Sequence, residues 1–297
     1  MLLPLALLWL AWEWLLQHAD LAHLAQQASR TPAWAWAAAG AALLAGHGLR
    51  ALRLQREWCH VRQVGLAACL RLVLTHNAAV ILMPLRSGEA GYLWLVQRHW
   101  SVGWRAAGLS LLRWRLQDAA VLMLLAVLLL LPWTLAARVL LVLCAITIIA
   151  ILQKPVLAWL AQRAPGLAGT ADPAGPTSPV SRLGSGWLAS AGNWSLKVLA
   201  LGGLLMLLAD MPPEAAWRAA LGGELAGVQP LQGPAGLGTY EAGVWLASMA
   251  PADRQSSVVA AALAVHAFSL LVALGAAALA QLIPTPSLPP PEREPAR

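Results

Sequence analysis

Long apolar runs dominate this chain, and one short phrase interrupts them twice. Residues 84–95 contain Pro-Leu, then a glycine, then Glu-Ala-Gly before an aromatic, apolar helix start, and the same order returns within residues 230–246. The two glutamates, Glu89 and Glu241, are about half a chain length apart. Breaks at matching places in two hydrophobic halves are typical of transporters whose binding site lies between internal repeats. The repeat therefore predicts two related halves that meet at a site.

The composition excludes an ordinary soluble domain. Hydrophobic residues make up 59% of the chain and charged residues only 11%, whereas a soluble domain carries about 25% charged residues. Several stretches approach the ~20 apolar residues that a helix needs to cross a ~30 Å hydrocarbon core. We therefore predict an all-α polytopic membrane protein of the inner (plasma) membrane.

Six segments are predicted as full spans: residues 2–16, 33–52, 116–133, 136–152, 186–209 and 258–282. The first is read as a retained span and not as a cleaved signal peptide, because no basic region precedes it. Two further segments, residues 64–96 and 215–250, are apolar but broken by Gly and Pro. Residues 98–114 form either a helix lying in the membrane interface or the approach to the next span.

The placement of Arg and Lys predicts the orientation, since cytoplasmic flanks are enriched in both. Arginines follow the span 33–52 and also precede the span 116–133, so the segment 64–96 is expected to enter and leave on the cytoplasmic face. The acidic stretch 210–214 suits the outside, so the segment 215–250 is expected to enter and leave there. The prediction is an inverted repeat with two oppositely oriented re-entrant helical hairpins and cytoplasmic termini.

The chain is predicted to be one integral membrane domain, residues 1–283. Its first half covers about 33–153 and its second half about 184–282. The linker between them, residues 154–183, is rich in Pro, Gly, Ala and Ser, which favours a flexible connection. The Pro-rich, charged tail 284–297 is expected to be disordered.

Glu89 and Glu241 are the strongest candidates for a polar site. An ionisable residue inside a membrane segment costs about 2.5–3.5 kcal/mol on insertion scales, so it indicates function by default. Each glutamate lies in the first turn of a predicted half-helix, where free N–H groups favour an anion. The two interpretations are a coupling carboxylate in a polar cavity, or a carboxylate that only caps the helix.

Arginine side chains are the natural phosphate ligands, because the guanidinium group offers a planar fork of donors. Arg86, Arg113 and Arg115 are the predicted headgroup ligands, although an arginine at the interface could simply reach toward water. Asp118, three residues after Arg115, is expected to pair with it on one helix face. Asn77 is expected either to bind at the hairpin tip or to cap the break.

The predicted backbone positions of the two hairpin tips are Pro84, Gly88, Pro230, Gly236 and Gly238. Irregular backbone at membrane depth is tolerated only where it is buried or lines a cavity, and glycine permits close approach of the chain. The glycines at 236 and 238 do not form a nucleotide-binding loop, because no Lys-Ser or Lys-Thr follows them.

Other chemistry finds no support in the sequence. It contains no Ser/His/Asp nucleophile set, no metal-ligand cluster and no aspartate-rich isoprenyl-phosphate motif. The three cysteines have neither metal nor CxxC spacing. We therefore expect no catalytic residues, no metal site, no cofactor and no enzyme activity. The formal net charge of +7 is assigned to span flanks that meet anionic lipid and not to nucleic-acid binding.

Four motifs in order carry a family resemblance: residues 49–53, Asn77 ahead of residues 84–89, residues 113–118, and 230–231 with 236–241. They resemble the transmembrane region of lysylphosphatidylglycerol synthases and its stand-alone flippase-like relatives, over nearly the whole chain. The resemblance implies movement of lipids between leaflets, with aminoacyl transfer assigned to a separate soluble domain. Since the sequence ends at Arg297 without such a domain, we expect no synthase activity. His266 stands where many relatives are expected to have arginine, which leaves a cationic role there open.

The preferred hypothesis is a lipid translocase that moves a phospholipid or a lipid-linked anionic headgroup between leaflets. No ATP-binding motif is present, so uphill movement would need an ion gradient or mass action. The alternatives are a membrane scaffold or subunit that recruits a lipid-modifying enzyme, and an enzyme that acts on headgroups. The expected partners are membrane lipids, with a second copy of the chain or a lipid-modifying enzyme as candidate protein partners.

Overall fold

The computed structural model describes four isolated residues before position 20 and then residues 21–59, 64–83, 87–163, 183–229 and 234–284. This part of the chain contains ten α-helices, two short 3-10 helices and no β-strand. The helices are α1 Leu21–Arg30, α2 Ala33–Trp58, α3 Leu66–Leu82, α4 Glu89–Trp100, α5 Trp104–Leu130, α6 Leu135–Arg163, α7 Leu183–Leu208, α8 Pro213–Gly227, α9 Thr239–Ser248 and α10 Gln255–Ala280. The predicted all-α fold is confirmed for these residues.

Three described stretches are long and apolar enough to cross a membrane: Leu135–Leu152, Gly186–Leu208 and Ala252–Ala280. Helices α2 and α5 have 26 and 27 residues, so each is about 40 Å long at the usual rise per residue. Both carry internal charges, which the fold must bury or pair. Of the predicted span 2–16, only Trp9 and Glu13 belong to the described residues.

Buried apolar residues form a smaller cluster among α2, α3, α4 and α5 and the main core among α2, α5, α7, α8, α9 and α10. Leu201, Leu204 and Leu205 of α7 are almost fully buried, as is the apolar run Val258–Ala262 of α10. Alanines on one face of α2, including Ala35 and Ala39, pack against this cluster. By contrast, no residue of Leu135–Leu152 in α6 is buried. That helix packs mainly on α5 and presents its apolar side chains outward, as a lipid-facing helix does.

Two pairs of short helices occupy matching places along the chain. Helices α3 and α4 pack against each other after α2, and α8 and α9 pack against each other after α7. The neighbours also correspond: α2 contacts α3 as α7 contacts α8, and α3 contacts α10 as α8 contacts α5. Helices α2 and α7, which open the two halves, form one of the most extensive contacts in the fold.

Small residues allow each helix pair to come together closely. A Cβ atom added at Gly88 would collide with the backbone of Ala79 in α3. A Cβ atom at Gly222 in α8 would collide with the carbonyl oxygen of Gly243 in α9, and one at Gly243 would meet Gly222 in turn. Close approach through small residues is how helices associate where lipid gives no hydrophobic drive.

The structure corrects two expectations about helix boundaries. Ser101 adopts φ = 55° and ends α4 at Trp100, so residues 98–114 are not one interfacial helix. From Trp104 onward they begin α5, the alternative that the sequence left open. Helix α6 continues to Arg163, so the first ten residues of the predicted linker 154–183 are helical.

Several predicted positions lie outside the described residues. These are Pro84, Arg86 and Pro230 at the hairpin tips, the rest of the linker, and the tail after Pro284. Their assigned roles stay predictions.

Substitution of one tightly packed glycine tests the α8–α9 contact. We expect Gly222→Ala to lower the stability of the purified protein by about 1–3 kcal/mol, because the added methyl group overpacks a closed contact. The matched control is Gly275→Ala in α10, where no atom lies within 4 Å of the added Cβ. That change removes a helix-interior glycine and is expected to be neutral or slightly stabilising. Thermal unfolding in detergent measures both, and equal effects would contradict the packing.

Candidate functional site

A polar cavity of about 180 Å³ lies between the two halves of the chain. Helices α2, α3 and α5 line it from the first half, and helices α7, α8 and α10 line it from the second. The short 3-10 turn before α9 and Tyr240 within α9 complete the lining of the second half. Its polar lining includes His47, Arg50, His76, Asn77, Arg115, Asn193, Lys197, Glu224, Tyr240 and His266. A concave site with convergent polar groups is the usual form of a small-ligand site.

One buried polar network joins α2, α5 and α7 beside this cavity. The Arg53 guanidinium donates to Ser190 Oγ at 2.7 Å and to Gln117 Oε1 at 2.5 Å, and its Nη1 lies 3.4 Å from Asp118 Oδ1. The Ser190 hydroxyl donates to the same Asp118 oxygen at 2.6 Å. All four side chains are buried. Asp118 also faces Arg50, whose Nη2 is 3.7 Å from Oδ2, so it connects the network to the cavity wall.

Glu89 is held by an arginine. Arg115 Nη2 lies 2.5 Å from Glu89 Oε1, and Arg115 Nε donates to Oε2 at 3.2 Å. His76 Nε2 is 3.7 Å from Oε2. The expected pair of Arg115 with Asp118 is only a distant contact of 4.0 Å. Arg115 thus directs two of its donors to Glu89, and it also lines the cavity.

Glu241 is fully buried and bonded on both oxygens. The Gly238 N–H donates to Oε2 at 2.7 Å, so the carboxylate caps the start of α9. Its other oxygen, Oε1, lies 2.8 Å from Nδ1 of His266. The Tyr240 ring stacks on the His266 ring with the centroids 4.4 Å apart. One oxygen of Glu241 therefore caps the helix, as one of the two interpretations from the sequence expected. The other oxygen contacts His266, which lines the cavity.

A second ion pair on the cavity wall joins Lys197 of α7 to Glu224 of α8. Lys197 Nζ lies 2.6 Å from Glu224 Oε2. Two cations approach the Trp194 ring, with Lys197 Nζ 5.5 Å and Arg50 Cζ 5.9 Å from the ring centre. Cations at this distance from an indole face are attracted by its quadrupole. All three residues line the cavity.

Four buried polar atoms at the cavity have no hydrogen-bond partner among the described residues. One is Nδ1 of His47, which donates or accepts according to the tautomer. The other three are the indole Nε1 of Trp194, the amide Nδ2 of Asn193 and the hydroxyl of Tyr240. Each of these three can donate a hydrogen bond, and leaving a buried donor without an acceptor costs about 1–3 kcal/mol. This lining therefore suits a ligand that brings several acceptor oxygens.

Arg113 does not take part in this site. Its guanidinium pairs with Glu57 of α2, and the neighbouring Trp114 Nε1 donates to Glu57 Oε2 at 2.7 Å. Arg113 is absent from the cavity lining. Asn77 and Gly236 do line the cavity, as does Arg115. Gly236 and Gly238 have φ angles of 84° and 81°, the left-handed region that favours glycine, where the chain turns into α9.

The sequence model of the family described as the lysylphosphatidylglycerol synthase TM region matches residues 1–277. The chain belongs to this family. The resemblance seen in the four sequence motifs is thereby confirmed. No curated protein and no solved structure matches the chain.

Several site residues of this lysylphosphatidylglycerol synthase TM family member were not predicted from its sequence. Arg50 and Arg53 were read as cytoplasmic flank charges and as part of the motif 49–53, without a place in the site, although Arg53 is buried and Arg50 lines the cavity. His47, Lys197 and Glu224 were not considered. All five are ionisable residues in apolar helices, and this is the signal that could have found them.

The buried network gives a stability prediction. Arg53→Gln removes the nearest cation from Asp118, which keeps only the longer contacts to Arg50 and Arg115. Leaving a buried charge fully unpaired costs about 3–5 kcal/mol, and this is the upper limit of the expected loss. We expect a markedly lower unfolding temperature in detergent. The matched control is Arg98→Gln, because Arg98 is exposed on α4. Replacing both Arg53 and Asp118 by leucine should recover part of the loss, and a stable Arg53→Gln protein would contradict the network's structural role.

Proposed function

We propose that this membrane protein moves a phospholipid, or a lipid-linked anionic headgroup, between the leaflets of the inner membrane. The observation that carries the proposal is the cavity shared by both halves, which is lined by cations and by donors that have no acceptor among the described residues. A phosphodiester offers several acceptor oxygens and a negative charge, which match that lining. Membership of the family supports a membrane role for the chain.

The fold supports an inverted repeat as the framework for this movement. The matching helix pairs α3–α4 and α8–α9 would be oppositely oriented re-entrant hairpins that meet at the cavity. Sites between such repeats are reached alternately from each side when one part rocks against the other. The cavity volume of about 180 Å³ suits a headgroup and leaves the acyl chains in lipid. Cytoplasmic termini complete the proposed arrangement.

The residue roles in the proposal differ from those that the sequence favoured. Arg50, Arg115 and Lys197 would attract the headgroup anion. Trp194 and Asn193 would donate to its oxygens. Arg113, paired with Glu57 away from the cavity, has no place in this set, and Arg86 stays a predicted ligand at the hairpin tip.

The acidic groups would balance these cations when no headgroup is bound. Glu224 neutralises Lys197, Glu89 neutralises Arg115, and Asp118 faces both Arg50 and Arg53. A buried cation that is already paired with a carboxylate costs less to keep out of water than an unpaired one. An anionic headgroup can then bind by sharing that cation with the carboxylate. The proposal includes no chemical change of the lipid.

Leaflet exchange in proteoliposomes tests the function. Fluorescent phosphatidylglycerol should exchange between leaflets faster with the wild type than in empty liposomes. Lys197→Gln removes a charge-assisted contact worth about 1.5–3 kcal/mol, so it should slow exchange roughly tenfold or more. Arg98→Gln, which removes an exposed arginine outside the cavity, should leave the rate unchanged. No exchange above empty liposomes with any lipid class would favour a scaffold for a lipid-modifying enzyme.

A nearly isosteric change tests the unpartnered donors. Trp194→Phe keeps an aromatic ring near Arg50 and Lys197 but removes the indole N–H. We expect weaker binding of short-chain phosphatidylglycerol, by roughly tenfold if one hydrogen bond to a charged group is lost, with the fold retained. Trp94→Phe is the control, because Trp94 is exposed on α4. Equal affinities of the two variants would show that the indole N–H does not meet the lipid.

A further inference from the structure

The two halves hold their matching glutamates with different kinds of cation. Glu89 is paired with Arg115 through two donors, and arginine stays charged at all pH values that proteins experience. Glu241 is paired with His266 at 2.8 Å, and histidine is the side chain that most readily gains and loses a proton near neutral pH. The charge of the Glu89–Arg115 pair is therefore fixed, with His76 at a longer distance of 3.7 Å from the same carboxylate, whereas the charge of the Glu241–His266 pair is variable.

We propose that the Glu241–His266 pair is a proton-binding site, and that movement of the anionic headgroup is coupled to a proton held there. The inference rests on the proposed translocation and names its coupling ion. The two halves are similar, but in one the glutamate is paired with an arginine that keeps its charge. In the other, the glutamate is paired with a histidine that can gain and lose a proton.

Within the pair, His266 is the residue that belongs to the cavity lining, whereas Glu241 is fully buried and is absent from the lining. When Glu241 is ionised, His266 Nδ1 must carry the hydrogen that points to Oε1, and Nε2 is then the nitrogen able to accept a proton. A proton from solvent forms a new N–H bond there, and the net charge of the pair changes from −1 to zero. Release to solvent breaks that same bond.

Other charged and titratable groups surround this pair. The cavity also holds His47 and Arg50 of α2, His76 of α3, Arg115 of α5, Lys197 of α7 and Glu224 of α8. Lys197 with Glu224, and Arg115 with Glu89, form close ion pairs. At the two ends of α10, Arg254 and Arg71 donate to backbone carbonyl groups instead. Tyr240 of α9 stacks directly on the His266 ring. His47 and His76 are the other two histidines in the cavity lining, and they belong in the test.

Charge links the proton to the headgroup. A pair with a net charge of −1 repels an anion in the adjacent cavity, and the neutral pair does not. Lipid binding should therefore take up a proton, and by reciprocity a proton should strengthen lipid binding. If a full proton accompanies each lipid, the dissociation constant rises about tenfold per pH unit while the pair loses its proton.

Calorimetry on the full-length protein in detergent measures this link directly. Short-chain phosphatidylglycerol is titrated in buffers that differ in ionisation enthalpy, and the difference in heat gives the protons taken up per lipid. The wild type should take up close to one proton. His266→Arg, which copies the fixed cation of the other half, and His266→Gln, which keeps a hydrogen-bonding side chain, should take up none. His99→Gln removes a histidine outside the cavity and should match the wild type.

Each outcome decides the inference. Binding with no proton uptake by the wild type overturns it and leaves translocation standing. Uptake that persists in both His266 variants, or disappears in His47→Gln or His76→Gln instead, assigns the proton elsewhere and also overturns it. If the wild type neither binds nor exchanges lipid, the proposed function fails, and the coupling fails with it. In proteoliposomes, a pH gradient should change the rate of lipid exchange by the wild type and should leave the rate of His266→Arg, whatever its value, unchanged.

Discussion

The burial of Arg53 against Asp118 is the interaction on which the other features depend. It brings α2, α5 and α7 together at one point, with Ser190 and Gln117 completing the bonds. A buried charge of either sign would be costly alone, because nothing in a hydrocarbon core replaces its water. The network therefore fixes how the two halves meet. The cavity lies beside it, so its position depends on the same contacts. Arg50, one helical turn before Arg53, reaches both Asp118 and the cavity.

The two halves share a plan but do not share their electrostatics. Glu89 and Glu241 begin corresponding helices, α4 and α9. The Glu89 side chain is partly exposed beside Arg115. Glu241 is fully buried, and its carboxylate contacts His266 and the Gly238 N–H at the start of its own helix. In the proposed mechanism, a symmetric protein would give both leaflets equivalent states, whereas a different cation in each half would let one state depend on a proton. The matching helix pairs follow the sequence repeat, and the proposed coupling rests on the places where the two halves differ.

The sequence predicted the helical class and the family, because apolar runs and family motifs are local signals. It also singled out Glu89, Glu241 and Arg115, because charges within apolar runs are local signals too; their functional roles stay predictions. It failed where a residue's role depends on a distant partner. Arg113 and Arg115 are two residues apart and looked equivalent, yet they point to Glu57 and Glu89 on different helices. Arg53 resembled a span flank because its partners, Asp118 and Ser190, are 65 and 137 residues away. Pairing at that separation leaves no trace in a local pattern.

The near balance of charge around the cavity argues for a passing ligand and against a resident one. Arg50, Arg115 and Lys197 each face a carboxylate already, so an anion must compete for them and gains less than it would from unpaired cations. Trp194 and Asn193 have buried donors with no acceptor among the described residues. These donors add specificity for the ligand without adding charge. A headgroup held in this way can leave as readily as it arrives. Translocation requires that property, because a site that binds one state too tightly holds the lipid between the leaflets.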